Sequence, residues 1–101
     1  MSTVRKLNES ALRGIYDAYM HEAFPPAELK PLAVMLRLME RGRYLCYGYY
    51  RNGRLAAYAF FYRHDSRVLL LDYFAVTPEL RGRGVGSAFL AALDAVLSGV
   101  C

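Results

Sequence analysis

The sequence predicts an α+β domain in which a mainly antiparallel sheet is flanked by helices, in the order β-α-α-β-β-β-α. Three observations predict it. Apolar residues recur twice at helical spacing before Gly42; the period then changes to two from Arg43 to Val76; and a Gly-rich turn after Val76 returns the chain to a helical period from Val85 to Leu97.

Thr3 to Leu7 suits a short first strand, and Asn8 offers a helix N-cap with Glu9 in the first turn. Leu12, Ile15, Tyr16 and Tyr19 stand at i, i+3, i+4 and i+7, one face of a helix that must stop before Pro25-Pro26. This stripe reads as core. A second helix buries Leu32, Met35, Leu36 and Met39 and ends at Gly42; Pro31 is tolerated only at its start. Tyr44 to Tyr50 and Leu55 to Tyr62 flank Arg51-Asn52-Gly53-Arg54, whose Asn-Gly pair suits a type I′ hairpin turn. His64-Asp65-Ser66 makes the next turn, and Arg67 to Val76 returns as the third strand of an antiparallel meander.

A chain of 101 residues is expected to be a single domain, 1–101, and its 55% hydrophobic content with nine Tyr is enough for a packed core rather than disorder. The net charge of +4 is carried by Arg far more than Lys and is scattered. That pattern points to polyanionic small molecules rather than nucleic acid. No apolar run has signal-peptide character or approaches the ~20 residues of a membrane span, so the expected location is the cytoplasm, with no membrane partner. Cys46 and Cys101 form neither a metal-ligand spacing nor a disulfide framework, and are read as reduced thiols.

The chemistry is written in Val68 to Leu97. A β-rich run ends at Thr77-Pro78, and Arg81-Gly82-Arg83-Gly84-Val85-Gly86-Ser87 opens the last helix. Glycines at alternate positions let several N–H groups converge, the helix adds its positive end, and the two arginines supply permanent charge, which together suit a pyrophosphate. A P-loop would need Gly-Lys-Ser/Thr at the helix start, and none is present. The Rossmann fingerprint finds Ser87 at its third glycine. A plain helix-capping turn would account for one glycine but not for three with flanking arginines.

What remains, Arg81-x-x-Gly84-x-Gly86 preceded by Phe74-Ala75-Val76-Thr77-Pro78, closely resembles the coenzyme A signature of the GCN5-related N-acetyltransferase (GNAT) superfamily. The element order also resembles the first half of that fold. In the family the sheet continues with a fifth strand, another helix and two more strands. The resemblance therefore implies that the 101 residues are a fragment of the domain, or that another chain completes it.

The resemblance implies acetyl-coenzyme A as cosubstrate and no metal. Phe74, Ala75 and Val76 would offer backbone groups to the pantetheine arm and the thioester carbonyl, and Arg81, Gly82, Arg83, Gly84, Val85, Gly86 and Ser87 would hold the pyrophosphate. The acceptor would be a primary amine attacking directly, which needs a base because an alkylammonium is mostly protonated at neutral pH. Asp72, the carboxylate inside the central strand, is the candidate, expected on the face of Leu70 and Phe74 with Tyr73 opposite; the alternative is that it merely hydrogen-bonds a neighbouring Tyr or Arg. Many members place a glutamate where Leu70 stands, and the Tyr that often acts as general acid lies beyond this chain's last helix. His21 and His64 read as exposed or capping residues, and the strand tyrosines Tyr47, Tyr49, Tyr50, Tyr58 and Tyr62 as packing.

Two function classes follow: an acetyl-coenzyme A-dependent N-acetyltransferase, and a coenzyme A-binding or structural module without turnover. An apolar free edge on strand 68–76, carried by Leu69, Leu71 and Phe74, further implies self-association through it.

Overall fold

The period-two segments pair as their turns dictate. In the computed structural model, which describes residues 1–98, β1 (Ser2–Lys6), β2 (Tyr44–Arg51), β3 (Arg54–Arg63) and β4 (Leu69–Val76) form one sheet in that spatial order, every neighbouring pair antiparallel. Asn52 and Gly53 hold φ of 52° and 79°, the two positive values a type I′ turn requires.

Asn8 caps the first helix as its side chain suggests, its Oδ1 accepting the Ala11 N–H at 2.9 Å. This α1 runs from Glu9–Ile15 through a π-helical turn, Tyr16–Met20, to His21–Ala23. The wider turn adds a residue to the spacing, so Tyr16 and Met20 join Leu12 and Ile15 in the core while Tyr19 only packs against it. Helix α2 (Leu32–Glu40) starts just after Pro31 and stops at Gly42, where φ is 72°. Helix α3 is Val85–Leu97.

The sheet separates two cores. On one face α1 and α2 pack Leu12, Met20 and Met35 against Tyr44, Cys46, Tyr58, Phe60 and Tyr73. On the other, α3 lays Val85, Phe89 and Leu93 on Leu45, Tyr47, Tyr49, Ala57 and Phe61. Phe89 stacks on Tyr49 at 5.0 Å and on Phe74 at 5.4 Å between ring centroids. The strand tyrosines thus divide between the two cores.

One expectation about β4 is corrected. Phe60 stands opposite Tyr73 and Phe61 opposite Leu71, so Asp72 is an extra residue in the strand, a β-bulge. The bulge resets the alternation. Asp72 lies with Tyr73 on the face of α1 and α2, whereas Phe74 lies on the α3 face. The free edge is corrected in its composition too: Leu69 and Phe74 pack against the α3 core, and the large exposed apolar side chains here are Val68, Leu70 and Leu71.

Candidate coenzyme A loop and active site

The loop is built from the strand outward. Thr77 donates its N–H to the Ala56 carbonyl at 2.9 Å. Backbone groups alternate in direction along an antiparallel ladder, so those of Ala75 turn toward β3 and those of Phe74 and Val76 toward the free edge. The Val76 carbonyl accepts Arg81 Nε on that side at 3.1 Å. Pro78–Leu80 makes one 3-10 turn, and Gly82 and Gly84, both at φ 78°, bend the chain into α3. A side chain at either position would meet open space, so glycine is needed there for backbone conformation rather than for room.

Gly86 differs. Its φ is ordinary, and a Cβ would rest 3.6 Å from Val76 and 3.7 Å from Phe74, at van der Waals distance. The backbone N–H groups of residues 82–87 donate to no other group among the described residues. They surround the positive end of a 13-residue helix. Free N–H groups at the head of a helix are the donors an anion can use.

The two arginines have different surroundings. Arg81 gives both terminal nitrogens to the Glu22 carboxylate, at 3.0 and 3.3 Å, tying the end of α1 to the loop. Arg83 is exposed and has no ion partner among the described residues. Beneath lie two orphaned hydroxyls, Tyr58 Oη and Thr77 Oγ1, each buried without a hydrogen-bond partner among the described residues. Burial pushes the Tyr58 phenol up to about 12.

Asp72 sits at the bulge, about a quarter exposed, and its Oδ2 has two partners. Tyr44 donates its hydroxyl at 2.5 Å, and Lys30 Nζ lies 3.3 Å away. Burial, with the hydrogen bond to Asp72, holds the Tyr44 phenol far above its ordinary value, so it remains a proton donor. Burial and the same carboxylate raise the Cys46 thiol. The hydrogen bond from a sheet tyrosine is the arrangement the structural alternative for Asp72 describes; the lysine is an addition.

Lys30 carried no signal in the sequence. It arrives because the loop between α1 and α2 is clamped to β4: the Tyr73 hydroxyl accepts the Lys30 N–H and donates to the Glu28 carbonyl, both at 2.7 Å, and Tyr16 Oη donates to the Lys30 carbonyl at 3.0 Å. Glu22 was equally silent. The histidines are exposed; His21 and Tyr16 pack in a T-shaped pair with ring centroids 4.9 Å apart, and the His64 N–H closes a turn on the Val68 carbonyl. Cys101 lies outside the described residues. Among the described residues no three His, Cys, Asp or Glu side chains cluster as metal ligands, and no helix is long and apolar enough to cross a membrane.

A four-stranded antiparallel sheet between helices, with a Gly-rich turn leading from its last strand into α3, is the acyl-coenzyme A N-acyltransferase fold. The chain belongs to the acetyltransferase (GNAT) family, whose sequence profile matches residues 10–99. Its structure is similar to the ribosomal-protein-S18-alanine N-acetyltransferase of Escherichia coli, with TM-score 0.74 and 27% identity over 99% of this chain and 63% of that one. It is also similar to a GNAT-family protein of Bacteroides thetaiotaomicron, with TM-score 0.75 and 20% identity over 90% and 53%. A Clostridium acetobutylicum protein classed as an acetyltransferase and solved with acetyl-CoA aligns with TM-score 0.68 and 13% identity over 98% and 75%. The chain thus spans a little over half to under two thirds of the first two proteins. No curated protein matches it.

Proposed function

We propose that this chain carries the acetyl-coenzyme A site of an N-acetyltransferase that acts on a primary amine by direct attack. The observation that carries the proposal is the run of unengaged N–H groups from Gly82 to Ser87, at the head of α3 and beside the outward-facing backbone of Phe74 and Val76. Acetyl-coenzyme A supplies the activated acyl group. Residues 82–87 fit its pyrophosphate, with Arg83 adding charge, and the backbone edge at Phe74 and Val76 fits its pantetheine amides. Ala75, whose groups face β3, takes no such part. Arg81 contributes through its loop backbone, since Glu22 holds its side chain.

Asp72 is the base in this reading. Its carboxylate lies on the same strand as the pantetheine edge and faces α1 and α2, and its ion pair with the primary ammonium of Lys30 supports this reading. Tyr44 orients the carboxylate. A preformed N–H on the strand edge would stabilise the charge that grows on the thioester oxygen during attack. The cytoplasm is the matching compartment.

A coenzyme A-binding module without turnover is the second reading, favoured by the partners already on Asp72. Calorimetric titration of acetyl-coenzyme A, paired with thiol release in the presence of butylamine, separates the two. Binding with release is expected; binding without release selects the module, and loss of both overturns the site.

A further inference from the structure

Resting on the acetyl-transfer reading, we propose that Lys30 is itself an acceptor, so that the chain acetylates its own Lys30 and thereby discharges the ion pair on Asp72. Three observations carry this. Lys30 Nζ lies 3.3 Å from Asp72 Oδ2, the place a substrate ammonium would take. The backbone of Lys30 is fixed on both sides, its N–H to Tyr73 and its carbonyl to Tyr16, so the side chain starts from an anchored position beside Asp72 rather than from a free loop tip. Both side chains of the pair keep about 30% exposure, enough for a thioester to reach them from the strand edge.

The step balances. The Lys30 ammonium gives one proton to Asp72, and the neutral nitrogen attacks the thioester carbonyl carbon. The C–N bond forms and the C–S bond breaks. The nitrogen's second proton leaves with the thiolate to give free coenzyme A thiol, and Asp72 returns its proton to solvent. The product is a neutral amide that no longer pairs with Asp72, leaving the carboxylate open to an external ammonium.

The sequence supplies its own control, because the chain has only two lysines, Lys6 and Lys30. Lys6 is exposed on β1 and has no ion partner among the described residues. Random acetylation from solution therefore favours Lys6, and positioned transfer favours Lys30.

The test is incubation of the purified chain with acetyl-coenzyme A alone, followed by peptide mass spectrometry, with parallel thiol-release assays that include butylamine. One acetyl group is expected on Lys30, ahead of Lys6 by about tenfold or more. The labelled fraction should grow at a rate independent of protein concentration, and the label should be absent in Lys30→Arg. Equal labelling of both lysines, or a rate rising with protein concentration, overturns the proposal. So does thiol release to butylamine with Lys30 unlabelled, a result that leaves the acetyl-transfer reading standing. Absence of any thiol release overturns that reading, and this proposal with it.

Discussion

Asp72 and Tyr73 are neighbours on β4 yet face the same side of the sheet, because Asp72 is the unmatched residue of a bulge. One strand therefore presents a carboxylate and a phenol together to the loop between α1 and α2. Tyr73 grips the loop backbone at Glu28 and Lys30, and Asp72 meets the Lys30 ammonium. The bulge sets both side chains on one face.

Removing the grip should be felt in stability. Tyr73→Phe deletes one acceptor and one donor and leaves the Lys30 N–H and the Glu28 carbonyl without their partner. A loss of about 1–3 kcal/mol is expected, read as a lower urea midpoint at unchanged m-value. An unchanged midpoint would mean that the loop does not depend on Tyr73.

Gly84 and Gly86 should not respond alike. Gly84→Asp forces a side chain into a left-handed backbone and sets a like charge against the phosphates. Coenzyme A binding should weaken by at least about 1.4 kcal/mol, or tenfold. Gly86→Ala places its methyl at van der Waals distance in an ordinary helical conformation and should leave both melting temperature and affinity close to those of the parent. Titration calorimetry on folded variants distinguishes them. If both substitutions weaken binding equally, close backbone approach matters at Gly86 as well.

Three buried acids make the fold sensitive to alkali. The Tyr58 phenol, raised by burial from 10.0 to about 12, and the Tyr44 and Cys46 groups, also raised, bind their protons more tightly folded than unfolded. That stability is complete below the unfolded values and is lost as pH climbs through the folded ones. The melting temperature should hold near neutrality and fall from about pH 9 upward. Tyr58→Phe removes a hydroxyl that is buried without a partner, so at neutral pH it should stabilise by up to about 1–3 kcal/mol and flatten the alkaline fall. Destabilisation at neutral pH would mean that the hydroxyl is satisfied in solution.

The free edge of β4 carries Leu70 and Leu71 at 51% and 52% exposure, with Val68 just before the strand at 39%. An apolar edge with outward N–H and C=O groups is a template for another strand. Light scattering of the purified chain should show association that Leu71→Lys reduces. A monomer at all concentrations would show that the edge is protected in solution.

Much of this was legible in the sequence because it rests on local rules. Asn8 capped its helix, Asn52-Gly53 made the turn that two positive φ values demand, and Gly82 and Gly84 bent the chain where a helix must begin. The strand–loop–helix order that points to the family is local in the same sense. Two features of β4 were not legible. The bulge comes from how β3 and β4 pair, and a side chain's face cannot be counted along one strand once its partner skips a residue. The companions of the site, Lys30 on Asp72 and Glu22 on Arg81, come from segments 42 and 59 residues away in sequence. Their charges look like ordinary surface until the helices pack. The sequence by itself determined the elements, their order and the glycine turn before α3, since each follows from backbone preferences within a few residues. Tertiary structure alone decided which face Asp72 takes and which cation sits against it, because both depend on pairing between distant segments.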